Sequence, residues 1–323
     1  MKNCIKNVNI INISSERIGQ RVDNFLRTYL KGVPNSKIYR IIRKGGIRIN
    51  GKRIPVRYRL QKNDILRIPP VRQVVKKQKI TTLCSSVYLK NINLIRNSII
   101  YEDDYLMIIN KPSGLAVHSG TKLNFGIIEG LRFLRPTANF LELVHRLDKD
   151  TSGLLLLAKK RSALLELHKQ FHFKKIQKKY LVLVSGQWRS SIRVINVPLS
   201  RCILPVNGYR FVYVDQQSGK YAETRFLIKE RFDLATLIIA TPITGRTHQI
   251  RVHTQFVGHP IAFDKLYGNK IFNKRFESYG LNRLFLHSFL LKFTHPNNGK
   301  IVFVKAPLDV ALQKCLYVLR GNQ

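Results

Sequence analysis

Acidic side chains are scarce in this chain: 18 Asp and Glu stand against 57 Lys and Arg in 323 residues, a formal net charge of +39. A field of that size repels the chain from itself and makes sense beside a polyanion, with nucleic acid the leading candidate. Ile, Asn and Lys are abundant throughout, as compositional drift would produce, so the charge points to a class of partner and not to a site. Cysteine is also scarce. Cys4, Cys84, Cys202 and Cys315 lie far apart with no C-x-x-C pair, which excludes the usual zinc spacing and a disulfide framework and fits a reducing cytoplasm. No run of about 18 consecutive apolar residues occurs, so no membrane-spanning helix is expected. The N-terminal MKNCIKNVNIINISSER has no small-residue cleavage site after its short apolar patch and does not read as a signal peptide. There is no internal repeat, no P-loop, no G-x-G-x-x-G after a strand, no metal cluster and no G-x-S-x-G elbow, since Ser152 sits in T-S-G. The expectation is a soluble cytoplasmic protein that needs neither cofactor nor metal.

What is present is enough apolar residue, 44% of the chain, to bury a proper core in two domains. The first, read as residues 13–70, opens with Val22, Phe25, Leu26, Tyr29 and Leu30 at helical spacing. Pro34-Asn35-Ser36 breaks the chain and caps a second helix carrying Ile38, Tyr39, Ile41 and Ile42, which Gly45-Gly46 ends. Residues 47–54 read as a hairpin with Asn50-Gly51 in a type I′ turn. Lys37, Arg40, Arg43, Lys44, Arg48, Lys52 and Arg53 fall on the polar side of this helix and hairpin, a surface suited to a phosphate backbone or simply a solvated basic face. Residues 71–94 turn to Lys, Gln, Ser and Thr and read as a linker. The second domain, 95–319, mixes helices and strands without a βαβ rhythm, so an α+β fold with a mixed, mostly antiparallel sheet is expected. Within it, Tyr105 to Gly114 reads as a buried strand with a Pro-Ser-Gly turn, and Gly153 to Ala158 as a second buried strand. Ser162 to Phe171 reads as a helix with Ser162 as its N-cap.

The run His145-Arg146-Leu147-Asp148-Lys149-Asp150-Thr151-Ser152-Gly153 places two of the rare carboxylates between basic neighbours and an apolar strand. A carboxylate there is either a structural ion-pair partner or a group held for chemistry. Asp150, before Thr-Ser-Gly, looks more like a turn or capping residue than Asp148 does. His145, His248 and His253 suggest a metal or a general base, but no pair is joined by a carboxylate at ligand spacing, which favours structural or RNA-contact roles.

This run resembles the signature of the RluA-type pseudouridine synthases. Asn110-Lys111-Pro112-Ser113-Gly114, Lys178-Lys179-Tyr180, Pro242 to His253, Gly258-His259-Pro260-Ile261, Arg283 to His287 and Phe293-Thr294-His295-Pro296 agree with that family in order and spacing. The front module likewise resembles the small αL-type RNA-binding domain of many RNA-modifying enzymes. The resemblance implies an isomerase that breaks the uracil–ribose bond, rotates the base and rejoins it through carbon, without a cofactor, on large-subunit ribosomal RNA, as a monomer. It implies that Asp148 is catalytic, as nucleophile or as base on the ribose. Arg146 takes the place of the flipped-out uridine, Tyr180 packs on the target base, and Arg251 ion-pairs with the aspartate. Arg246 is the alternative to Arg251, and reads more like a phosphate contact or turn residue. Lys149 stands where the family often has Arg. Two rival readings are a non-catalytic RNA-binding or ribosome-assembly protein with the same fold, and a synthase acting on transfer RNA or small-subunit RNA.

Overall fold

The computed structural model describes residues 7–14, 17–30, 32–71, 86–119, 125–138, 140–203 and 210–321. Two compact units divide the chain, residues 1–90 and 91–323. Among the described residues no helix is long and apolar enough to cross a membrane. Cys202 and Cys315 are free thiols, and Cys4 and Cys84 lie outside the described residues.

In the first unit the order is β1 (Asn9–Asn12), α1 (Val22–Tyr29), α2 (Asn35–Arg43), β2 (Arg48–Ile49), β3 (Lys52–Arg53) and β4 (Ile65–Ile68). The strands form an antiparallel sheet in the order β1-β4-β2-β3. The three-and-four spacing of Val22, Phe25 and Leu26 puts them on the buried side of α1, and Ile38 and Ile42 do the same for α2. Both faces close on Ile49, Leu66 and Ile68 of the sheet and on Ile47 just before β2. The hairpin turn is as Asn-Gly dictates, with φ of 50° at Asn50 and 76° at Gly51. The start of α2 differs from the sequence reading. Pro34 is the N-cap and makes no side-chain cap bond, while Asn35 and Ser36 lie inside the first turn. Proline supplies the fixed φ that starts the helix and no side-chain acceptor to cap it.

The second unit begins within α3 (Ser86–Asn97), a helix that occupies the end of the stretch read as a linker; residues 72–85 of that stretch lie outside the described residues. Ile95 on α3 packs into the core with Ile127 and Leu131. There follow β5 (Ile99–Glu102), β6 (Leu106–Lys111), α4 (Ile127–Leu134), β7 (Glu142–Leu143), β8 (Ser152–Ala158), α5 (Arg161–His172), β9 (Gln177–Ser185) and β10 (Val194–Asn196). The chain continues through β11 (Leu199–Ile203), β12 (Arg210–Val214), β13 (Glu223–Arg231), β14 (Ala235–Pro242), α6 (Gln249–Phe256), α7 (Lys270–Glu277), β15 (Leu286–Thr294), β16 (Ile301–Lys305) and α8 (Val310–Leu319). One large sheet runs β10-β13-β14-β9-β15-β8-β6-β5, with β16 added to β15 and β7 to β8, while β11 and β12 form a separate hairpin. Only the contact between β15 and β8 is parallel, so the sheet is mixed and mostly antiparallel, and the fold is α+β as expected.

Seven consecutive buried residues in β8 follow from cover on both faces of the sheet. With a side-chain period of two, Leu155 and Leu157 enter one core and Leu154, Leu156 and Ala158 the other. Each such leucine stabilises the fold by about 1.5–3 kcal/mol. On β9 the same alternation sends Leu181 and Leu183 to one side and Tyr180, Val182 and Val184 to the other. Ser162 is not the cap of α5. The N-cap is Lys160, without a side-chain bond, and Ser162 sits one residue into the helix.

Candidate active site

Asp148 lies in the loop between β7 and β8. The Thr151 N–H donates to the Asp148 carbonyl at 3.2 Å, and the Gly114 N–H to the Lys149 carbonyl at 2.9 Å. The Ser113 hydroxyl donates to the Asp150 carbonyl at 2.7 Å. Beneath them the Lys111 ammonium, fully buried, donates to the carbonyls of Pro112, Leu115 and Lys149, each at 2.9 Å. Burial pulls its pKa down to about 7, Arg283 adds to this, and Asp150 and Asp148 oppose it. Lys111 thus ties the Pro-Ser-Gly turn to the Asp148 loop. Upstream, the Leu156 N–H donates to His145 Nε2 at 3.1 Å. Burial, with Lys178 adding, pushes His145 down to about 3, so it serves as a neutral acceptor that holds the loop on β8.

Sheet register delivers Tyr180 to this loop. Tyr180 on β9 is opposite Ser288 on β15, and Ser288 is opposite Gly153, the second residue of β8. Gly153 has φ of 105°, and a Cβ there would sit 2.3 Å from the Ser288 carbonyl oxygen, so only glycine permits the approach. The Tyr180 ring is buried. Its hydroxyl is pushed up to about 12 by burial, with a hydrogen bond to Ser288 opposing and the charge of Asp148 adding, and is therefore a neutral phenol.

The third segment runs from Pro242 to the start of α6. Gln249 organises it. Its Oε1 accepts from the Thr244 hydroxyl at 2.7 Å and the Arg246 N–H at 3.0 Å, and its Nε2 donates to the Glu223 carbonyl and Thr224 Oγ1, both at 2.9 Å. Arg246 itself reaches the Tyr221 carbonyl at 2.9 Å from an exposed position.

These segments enclose a cleft of about 530 Å³ whose walls include Arg146, Asp148, Tyr180 and Arg251. Four residues spread over more than a hundred positions of sequence thus share one site, and among the described residues Asp148 is the only carboxylate in its lining. Lys174, Lys178, Arg201 and Arg246 add basic side chains to a wall that Leu147, Phe171, Ile243 and Leu286 make partly apolar. Asp150, the rival carboxylate, is exposed and lines a separate cavity of about 310 Å³ with Arg283 and Lys265. Arg251 borders both cavities.

One expected contact is corrected. Arg251 does not ion-pair with Asp148: its guanidinium is held two-pronged by Asp264, at 2.7 and 2.6 Å, and both side chains are buried. Burial alone would raise the Asp264 carboxyl, but Arg251 and the N–H groups of Tyr267 and Leu266 outweigh it and hold it below its ordinary value. Among the described residues the ionisable group within 4 Å of Asp148 is instead His248, with Nε2 3.9 Å from Oδ2, while Arg251 acts on Asp148 through its charge at longer range. His253 is buried against Thr224 Oγ1 at 3.0 Å and has no contact with the cleft. Among the described residues no three His, Cys, Asp or Glu side chains gather as a metal-binding set.

In the first unit, Arg40, Arg43, Lys44, Arg48, Lys52 and Arg53 are exposed and Lys37 half-buried. Arg53 lies against Gly45 at the end of α2, where a Cβ would come within 2.6 Å of its Nε, so hairpin and helix end form a continuous basic surface. None of the seven has an acidic partner among the described residues. Sequence reasoning passed over Asp264, Tyr267 and Gln249, and gave Lys111 no role of its own; the motif Thr-Gly-Arg-Thr-His-Gln was the signal available for Gln249.

Comparison with known proteins identifies the family. Residues 105–256 match the family described as RNA pseudouridylate synthase, and residues 20–66 match the S4 domain. The ribosomal large subunit pseudouridine synthases C of Salmonella typhimurium and Escherichia coli are each 53% identical to this chain over 323 residues, covering 99% of both chains. The enzyme of the same name from Pasteurella multocida is 53% identical over 98% of this chain and 95% of its own. The solved structure of human RNA pseudouridylate synthase domain containing 1 aligns with a TM-score of 0.55 and 26% identity over 68% of this chain and 86% of that one. With an S4 domain in front and the Asp148 cleft behind, this chain belongs to the RNA pseudouridine synthase family of isomerases.

Proposed function

We propose that this protein converts specific uridines of large-subunit ribosomal RNA to pseudouridine, with Asp148 as the essential carboxylate. The observation that carries the reading is the single carboxylate in a basic cleft, accompanied by Arg146, Tyr180 and Arg251. The substrate follows from the names of relatives that match over nearly the whole chain.

The S4 module, taken as residues 13–70, docks structured RNA through Lys37, Arg40, Arg43, Lys44, Lys52 and Arg53, whose charges meet backbone phosphates. The module 95–319 then receives a uridine turned out of its stack, and Arg146, exposed at the mouth, fills the space it leaves. Tyr180 offers a neutral ring face to the base in the cleft. Asp148 acts at the ribose, as nucleophile on the glycosidic carbon or as base on the sugar, while the carbon–nitrogen bond breaks. The base rotates and a ring carbon joins the ribose. That carbon loses its proton and the freed nitrogen takes one up, so composition is unchanged. Arg251, anchored by Asp264, supplies fixed positive charge to the cleft. The protein is taken to work as a monomer in the cytoplasm, in keeping with its unpaired cysteine spacing.

The test is incubation of the purified protein with transcripts of large-subunit RNA, small-subunit RNA and transfer RNA, followed by carbodiimide-dependent reverse-transcription stops. Discrete stops in the large-subunit transcript, absent with Asp148→Asn although RNA binding persists, are expected. Stops only in transfer or small-subunit RNA would overturn the substrate, and RNA binding without stops in any RNA would overturn the enzymatic reading.

A further inference from the structure

The sequence favours a structural or RNA-contact role for His248, and its geometry points to a more specific one. It is one of five described non-glycine residues with positive φ, at 53°, and it stands as the N-cap of α6 without a side-chain cap bond. The left-handed conformation is uncommon for histidine, and such residues cluster where the fold over-determines a functional arrangement. Here the restraint is visible on both flanks. Gln249 spends all of its hydrogen-bonding capacity on the loop before and the strand beneath, and Thr247 is bonded by Arg201. The imidazole packs edge-on against the Tyr267 ring, with centroids 5.5 Å apart.

Proton positions follow from the partners. The Tyr267 oxygen accepts the Val212 N–H at 3.0 Å and lies 2.8 Å from His248 Nδ1. The Tyr267 hydroxyl has one proton, and Nδ1 is its only acceptor among the described residues. That proton therefore goes to Nδ1, which leaves the ring proton on Nε2. Nε2 is the atom facing Asp148 Oδ2 across 3.9 Å, with both side chains largely buried. This is longer than a hydrogen bond, and of the loose length that empty active sites show before substrate tightens them.

We infer, resting on the synthase reading above, that His248 is the positioning residue of Asp148: Tyr267 fixes its neutral tautomer so that Nε2–H orients the carboxylate toward the ribose. Arg251 is oriented by Asp264 through Nε and Nη2 and acts on Asp148 through its charge, so the directed donor within 4 Å of the carboxylate is His248. The chemistry favours a neutral donor. An imidazole N–H directs one carboxylate oxygen and leaves the other free for the ribose. Burial lowers the His248 pKa, and Arg251 and Arg146 push the same way against Asp148 and Asp264, which agrees with a ring that stays neutral.

The test is the single-turnover rate and the RNA dissociation constant of the full-length protein on a large-subunit RNA transcript, with wild type, His248→Phe, His248→Gln and Tyr267→Phe, thermal midpoints being measured alongside. His248→Phe keeps a ring of similar size without the donor and is expected to slow turnover about 10- to 100-fold with RNA affinity unchanged. His248→Gln keeps an N–H of similar reach and is expected to recover most of the rate. Tyr267→Phe, which frees the tautomer, is expected to slow turnover by a smaller factor than His248→Phe. A His248→Phe protein within twofold of wild type overturns the inference, as does equal slowing by Phe and Gln, which would mark a packing role only. Wild-type protein that makes no pseudouridine overturns the synthase reading and the inference with it, an outcome distinct from active wild type with an equally active His248→Phe.

Discussion

The Arg251–Asp264 pair offers the sharpest energetic test of the site as built. The guanidinium is 8% exposed and the carboxylate fully buried, and Oδ1 of Asp264 also accepts the N–H groups of Leu266 and Tyr267 at 2.9 and 3.0 Å. Asp264→Ala leaves a buried cation with no carboxylate within ion-pair distance and only the Tyr267 ring, 5.0 Å away, in contact, a loss of about 3–5 kcal/mol. For a unit of this size that lowers the thermal midpoint by roughly 6–20 °C. The sign with pH follows from the depressed carboxyl. Asp264 contributes its stability in full above about pH 4 and loses it as pH falls through the lower folded-state value. Asp264→Asn should therefore flatten the acid limb of the stability profile. The companion variant replaces both residues, Arg251→Met with Asp264→Leu. With no charge stranded it should regain most of the midpoint, yet remain slow in single turnover, because the cleft has lost its fixed cation. Differential scanning calorimetry and a rate on one RNA transcript read the two effects separately. A midpoint shift of under about 3 °C in Asp264→Ala would refute the burial argument. Wild-type turnover by the double variant would refute any role of Arg251 in the cleft.

Lys111 yields a prediction of opposite pH sign. Its folded pKa lies near 7 against an ordinary 10.5, so between those values unfolding takes up a proton and the contribution of this group to stability rises with pH. Lys111→Met should remove that rise, seen in urea midpoints between about pH 7 and 9, and cost about 2–6 kcal/mol there, where the neutral amine can donate to two of its three neighbouring carbonyls; an unchanged slope would contradict it. On the S4 module, replacing Arg40, Arg43 and Lys44 together by Gln should weaken RNA binding and reduce the slope of log affinity against log salt by roughly 2–3. Retention of the wild-type slope would remove this face from the RNA interface.

Much of this architecture is legible in the sequence because it depends on local rules. Asn50-Gly51 dictates a turn with two positive φ values wherever it occurs, and five apolar residues in a row after Gly153 announce a strand covered on both faces. The motif residues Arg146, Asp148, Tyr180 and Arg251 are visible as types in order, and the fold brings all four to one cleft. Their pairing is not visible. Arg251 lies in a chain with 26 other arginines and few acids, and only the turn after Ile261 brings Asp264 onto its guanidinium. The choice between Asp148 and Asp264 is made by tertiary geometry, which no spacing encodes. Residues 86–94 of helix α3 read as linker because the stretch shows little periodicity, and Ile92 becomes a core position only once packed. Ser162 and Asn35 show a further limit. Both are good capping types, but each sits beyond the residue whose extended backbone starts its helix. The left-handed turn at His248 has no sequence signal of its own, since glycine or asparagine would have been the expected residue there.

The most direct test of the central claim is pseudouridine mapping of ribosomal RNA from cells lacking this protein, complemented with wild type or with Asp148→Asn. Discrete carbodiimide-dependent stops in large-subunit RNA should vanish on deletion, return with wild type and stay absent with Asp148→Asn. Stops that persist on deletion, or that return with Asp148→Asn, would contradict an Asp148-dependent large-subunit synthase.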